Sequence, residues 1–165
     1  MSVLPILRWP DARLATVCDP VEDPGAVKTL AEAMLETMYA APGRGLAAPQ
    51  VGVLARMFVM DVTWKEGPAT PVVCINPEIV AVSDERVSGE EACLSIPGVS
   101  AEVERHAAVT LRWQDVEAVW HEAKLTGFAA ICSQHEYDHL DGLVIFDRLE
   151  GEARATLETE YEAVS

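Results

Sequence analysis

The sequence predicts an α+β fold. Strand-like runs at Met57 to Val62, Pro71 to Ile75, Val109 to Trp113 and Ala118 to Leu125 follow one another without alternating helices. Turn signals at Lys65-Glu66-Gly67-Pro68 and Gln114-Asp115 separate them. Helical patterns fall near the start, around residues 127–142 and at the end, an order that argues against a doubly wound parallel sheet. With 165 residues, half of them hydrophobic, the chain is long enough to bury one core as a single domain over residues 1–165 without disulfide support.

The first helix is expected from about residue 26 to 40, with Leu30, Met34, Leu35 and Met38 on its core face and Pro42-Gly43 closing it. It runs into Gly43-Arg44-Gly45-Leu46-Ala47-Ala48-Pro49-Gln50, where two glycines let a backbone approach a ligand closely and Gln50 offers an amide donor. A second helix is expected between Gly127 and Gly142. Phe128, Ile131, Cys132, His135 and His139 form one stripe at helical spacing. A last helix is expected from about residue 151 to 163.

The second helix carries His135-Glu136-Tyr137-Asp138-His139, a His-Glu-x-x-His pattern. Four residues apart on a helix, the two imidazoles project from one face and can grip one ion, with Glu136 at the edge of that face able to reach a water beside it. Two imidazoles leave a catalytic metal one protein ligand short. The chain offers a downstream carboxylate, such as Glu158 or Glu160, or a cysteine. Cys93 stands out, because Glu91-Ala92-Cys93-Leu94-Ser95-Ile96-Pro97-Gly98 sets it next to acidic residues and before a Pro-Gly turn. Cys18, Cys74 and Cys132 read as small buried hydrophobes. Four scattered cysteines with no Cys-x-x-Cys pair speak against a disulfide framework and for a reducing compartment.

The three segments together resemble the peptide deformylase family. Gly43 to Gln50, Glu91 to Ser95 and Gln134 to Gly142 stand for its Gly-x-Gly-Leu-Ala-Ala-x-Gln, Glu-Gly-Cys-Leu-Ser and Gln-His-Glu-x-Asp-His-Leu-x-Gly motifs, in the same order. One position departs, with Ala92 where the family has glycine. The resemblance implies antiparallel sheets around a central metal-binding helix, flanked by an N-terminal and a C-terminal helix. It implies Cys93, His135 and His139 as ligands of one divalent ion, Fe2+ first, with Zn2+ or another divalent ion able to substitute. It further implies Glu136 as general base and acid, and Gln50 with the Leu94 backbone N–H as the oxyanion site. Gly43, Arg44, Gly45 and Ala92 would border the substrate. The implied reaction removes formyl from formyl-methionyl peptides. A deformylase-like paralogue with weak activity or another N-acyl substrate, and a His-Glu-x-x-His metalloprotease, are the alternatives.

Composition narrows the partners. Twelve basic against 27 acidic residues leave a net charge of −15 and no basic run, which disfavours direct nucleic-acid binding. The end of the chain from Glu150 holds five glutamates against one arginine, so docking on ribosomes through the C-terminus is not expected. No apolar stretch approaches the roughly 20 residues of a membrane helix, and Met1 to Pro10 lacks the form of a secretory signal, which makes the cytoplasm the expected compartment. Arg44 is expected to turn its charge outward with its stem on the pocket wall. His106 and His121 are expected on the surface.

Overall fold

The computed structural model describes residues 2–165. Its helices are α1 (Lys28–Ala40), α2 (Gly127–Leu140) and α3 (Gly151–Val164), and its strands are β1 (Gly45–Ala47), β2 (Met57–Met60), β3 (Val72–Val82), β4 (Arg86–Cys93), β5 (Ile96–His106), β6 (Ala108–Gln114) and β7 (Trp120–Thr126). The strands form a five-stranded sheet in the order β1-β2-β3-β6-β7 and a β4-β5 hairpin. Every neighbouring pair is antiparallel. The expected α+β class and the three helices are therefore present.

Helix α1 starts two residues later than expected. Asp23 accepts from the Gly25 N–H and shapes a 3-10 turn over Pro24–Val27 before the α-helix begins. Met34 and Met38 are fully buried against β1 and β2, with Leu30 and Leu35 partly buried beside them. After Ala40 the Gly43 N–H returns to the Met38 carbonyl at 2.8 Å, which turns the chain into β1.

Three strands lie outside the expected runs: the short β1, within the segment read as a glycine loop, and both strands of the β4-β5 hairpin. β4 is mostly polar and exposed, so it lacks alternation. β5 does alternate, burying Ala101, Val103 and Arg105, but a charged member disguises the pattern. The Pro-Gly turn expected after Cys93 is absent. The chain reverses at Leu94-Ser95, pairing Cys93 with Ile96, and Pro97 and Gly98 continue within β5. Gly98 has φ +89, a value that suits glycine, and a side-chain carbon there would press on Val164 at 3.0 Å.

Helix α2 contacts β1, β2 and β7 of the larger sheet and β5 of the hairpin, so its second half is buried almost all round. That position explains why Gln134, His135, Glu136, Asp138 and His139 are polar yet buried. Phe128 departs from the expected stripe and stays 48% exposed. Helix α3 packs Leu157 and Tyr161 onto β5, and the Tyr161 hydroxyl donates to the Trp9 carbonyl at 3.0 Å. Cys18, Cys74 and Cys132 are buried, as expected of small hydrophobes. His121 is exposed, whereas His106 is half-buried, with Nδ1 2.9 Å from the Ser83 carbonyl and its backbone tied to the Gln134 amide.

Candidate active site

The end of β4 and the middle of α2 meet at the floor of a cleft of about 870 Å³. Cys93 Sγ lies 3.5 Å from His139 Nε2, and the donor atoms of Cys93, His135 and His139 all fall within 4.8 Å of one another. Metal–sulfur and metal–nitrogen bonds of about 2.3 and 2.05 Å at a tetrahedral angle span about 3.6 Å. The Cys93–His139 separation therefore fits one ion between them. His135 Nδ1 faces Glu91 Oε1 at 3.0 Å, which leaves its Nε2 for the same ion. Glu158 and Glu160, the carboxylate alternatives for a third ligand, lie on α3, where Glu158 accepts from Arg154. The metalloprotease reading is corrected accordingly: a cysteine, and no α3 carboxylate, completes the cluster.

Behind the two histidines lies a chain of buried charges that sequence reasoning missed. Arg105 donates through Nε and Nη2 to Glu91 at 2.8 Å each, and through Nη1 to Asp138 at 2.6 Å. Arg148 closes the far side of Asp138 at 2.9 and 2.5 Å. Burial opposes ionisation of Glu91, but the Arg105 guanidinium and His135 outweigh it and hold the carboxyl at about 2. Glu91 is therefore a fixed anion that orients the His135 ring. Partial signals existed: Glu91 and Asp138 sit inside the two motifs, and Arg105 shares the β5 alternation.

Glu136 has the opposite environment. Burial pushes its carboxyl up to about 7, with His135 pulling down and Glu91 pushing further up. Its Oε1 is buried without a partner, as is His139 Nδ1. Burial also holds the His139 ring neutral, with its pKa well below the ordinary value, the form in which imidazole ligates. For His135 burial acts in the same direction, but Glu136, Cys93 and Glu91 outweigh it and raise its pKa well above the ordinary value. With a cation held by the three donors, His135 would ligate without that proton and the Glu136 carboxyl would ionise more readily.

Gln50 sits in the 3-10 turn Ala48–Val51. Its Oε1 accepts from the Ala47 N–H at 2.9 Å, and its Nε2 donates to Ser95 Oγ at 3.0 Å while lying 3.7 Å from Cys93 Sγ. Leu94 occupies the turn after Cys93 and lines the cleft with Gly43, Arg44, Gly45, Ala92, Phe128 and Ile131. The two glycines of the loop line the cleft and also make room for the protein's own side chains. A side-chain carbon at Gly45 would lie 2.5 Å from Glu136 Oε2 and 2.8 Å from Cys132 Sγ, and one at Gly43 would lie 2.8 Å from Leu94 Cδ1. Arg44 pairs with Glu66, and its guanidinium lies 5.1 Å from the Phe128 ring centroid at the cleft.

The polypeptide deformylase family matches residues 3–155. A peptide deformylase of Afipia carboxidovorans is 49% identical over 150 residues, covering 90% of this chain and 88% of its own. A peptide deformylase-like protein of Brucella melitensis is 40% identical over 164 residues, 98% of both chains. The crystal structure of peptide deformylase from Ehrlichia chaffeensis in complex with actinonin superimposes with a TM-score of 0.93 at 37% identity, covering 100% of this chain and 99% of that one. Sequence and fold thus coincide over nearly the whole length, and the chain belongs to the polypeptide deformylase family.

Proposed function

We propose that the chain, acting as one catalytic domain, hydrolyses formyl-methionyl peptides to formate and a peptide with a free N-terminal methionine. One observation carries this reading: Cys93, His135 and His139 converge beside a buried Glu136 on the floor of a peptide-sized cleft. A divalent ion held by the three donors supplies Lewis acidity, acidifying water and polarising a carbonyl. We assign Fe2+, with Zn2+ able to substitute, since one thiolate and two imidazoles suit both.

Glu136 takes a proton from the water that attacks the formyl carbon. As the C–N bond breaks, the same carboxyl delivers that proton to the leaving amine nitrogen. Gln50 Nε2 donates one N–H to Ser95 Oγ and turns the other to Cys93 Sγ at 3.7 Å, a weak acceptor that a carbonyl oxygen in the cleft can replace. Together with the Leu94 N–H it faces the formyl oxygen as negative charge grows there. Gly43, Arg44, Gly45 and Ala92 border the bound peptide, with Leu94 and Ile131 as apolar lining.

Ala92 and the deformylase-like relative favour a second reading, a slow enzyme or one for another N-acyl group. A single anaerobic assay separates the two. Metal-loaded protein is given formyl-Met-Ala-Ser and acetyl-Met-Ala-Ser, and released acid is measured. Formate release with no acetate supports the proposal. Acetate in preference to formate, or neither acid from protein with full metal content, overturns it.

Among the described residues no helix is long and apolar enough to cross a membrane, and all four cysteines are free. Free thiols, one of them a ligand, support placement in the cytoplasm. The glutamates exposed along α3 support the absence of ribosome docking through this helix.

A further inference from the structure

Acidic residues outnumber basic ones by more than two to one, and most of the cations are already engaged. Of the twelve Lys and Arg, eight contact a carboxylate: Arg13, Arg44, Arg56, Arg86, Arg105, Arg112, Arg148 and Arg154. Among the described residues the four without such a contact are Arg8, Lys28, Lys65 and Lys124. Two of these, Arg8 and Lys65, line the cleft.

Both are exposed, and both are presented by anchored backbone. On one side of Arg8 the Leu7 N–H donates to the Gln50 carbonyl at 2.7 Å, and on the other the Trp9 N–H donates to the Ser95 carbonyl at 2.9 Å. Arg8 is therefore tied to the segments that carry Gln50 and Cys93. Lys65 follows Trp64, whose Nε1 donates to the Gly43 carbonyl at 3.0 Å. Its loop is organised by buried Asp61, which accepts from the Thr63, Trp64 and Thr70 N–H groups and from the Tyr39 hydroxyl. Arg44, between the two glycines, has its charge satisfied by Glu66. Of the acids lining the cleft, Glu91 is neutralised by Arg105, Glu136 is buried at the floor, and Glu90 alone is exposed.

We propose that Arg8 and Lys65 form a specificity site for a carboxylate side chain in the residues that follow the formyl-methionine, so that the cleft prefers acidic nascent peptides. This rests on the deformylase reading. The field of a chain at −15 repels acidic peptides at long range, and only local unpaired cations can reverse that inside the cleft. Each exposed charge pair changes an equilibrium by up to about fivefold, so the two together give a ratio of about three- to tenfold.

The test compares kcat/KM for formyl-Met-Ala-Asp-Asp and formyl-Met-Ala-Lys-Lys on the metal-loaded enzyme at low salt. Dissociation constants of the unformylated peptides Met-Ala-Asp-Asp and Met-Ala-Lys-Lys are measured in parallel. The acidic peptides should win by about three- to tenfold in both readouts, and the advantage should shrink at about 0.5 M salt. It should vanish in the double variant Arg8→Gln, Lys65→Gln and persist in Lys28→Gln, Lys124→Gln, which removes the same charge elsewhere. Equal values, a preference for the lysine peptides, or an acidic preference that survives Arg8→Gln, Lys65→Gln overturns the proposal. Failure to release formate from either peptide overturns the deformylase reading alone, because the binding ratio still decides this one.

Discussion

Replacing Gly45 by alanine separates the position of Glu136 from the rest of the site. The added carbon lands 2.5 Å from Glu136 Oε2, 3.0 Å from its Cδ and 2.8 Å from Cys132 Sγ. Restoring a contact of about 3.5 Å requires a shift of about 1 Å. Gly45 is not among the positive-φ glycines, so alanine brings no backbone strain. The carboxylate is the far end of a flexible side chain, so yielding costs little stability, about 1 kcal/mol or at most the 3 kcal/mol of an overpacked core. A misplacement of about 1 Å costs on the order of a hundredfold in rate. Gly45→Ala should therefore lower kcat for formate release by about a hundredfold, with unchanged metal content and Tm within a few degrees. Gly43→Ala is the control, because its added carbon meets Leu94 Cδ1, away from the base, and should cost less than about tenfold. Wild-type kcat in Gly45→Ala, or loss of its metal, would show that the glycine does not set the position of Glu136.

Three further outcomes follow from the charges and from Ala92. Arg105→Leu removes one of two partners from each of the buried carboxylates Glu91 and Asp138, so it should cost about 3–5 kcal/mol in urea unfolding and weaken metal retention; Arg148→Ala, at a half-exposed site, should cost about 1 kcal/mol. Equal losses in the two variants would contradict the buried-chain account. The Glu91 carboxyl ionises at about 2 in the folded protein against 4.5 without its partners. A depressed folded pKa contributes stability above the unfolded value, so about 3 kcal/mol is lost as pH falls from 4.5 to 2. In metal-free protein that slope should be shallower in Glu91→Gln, and identical slopes would remove Glu91 as its source. Ala92 is exposed and not at positive φ, which leaves crowding of the peptide as its one possible cost. Ala92→Gly should keep metal and raise kcat/KM severalfold, and an unchanged rate would show that the methyl is tolerated.

The legible parts of the fold were those with a regular pattern. Helix α2 was bounded correctly by Gly127 and Gly142, because at both ends φ is positive and at Gly142 any side chain would meet the Ala15 backbone at 2.8 Å. Both motif histidines and Cys93 were readable because spacing and donor chemistry constrain them together. The β4-β5 hairpin was hidden for two reasons. β4 has little buried surface to pattern, and β5 buries Arg105 where alternation calls for an apolar residue. The same arginine explains the missed charge chain, since its partners Glu91 and Asp138 are 14 and 33 residues away. That Gly45 also leaves room for Glu136, 91 positions later, is not legible in the sequence, because no local pattern reports so distant a neighbour.

In the proposed reaction Cys93, His135 and His139 would hold the ion while Glu136 moves the proton. Bound metal and formate release, measured together in Cys93→Ala and Glu136→Gln, separate these two roles. Cys93→Ala should lose both metal and activity, because two imidazoles remain. Glu136→Gln keeps its shape and the donor set, so metal content should match wild type while kcat falls by about a hundredfold or more. Full metal occupancy in Cys93→Ala, or undiminished turnover in Glu136→Gln, would contradict the account.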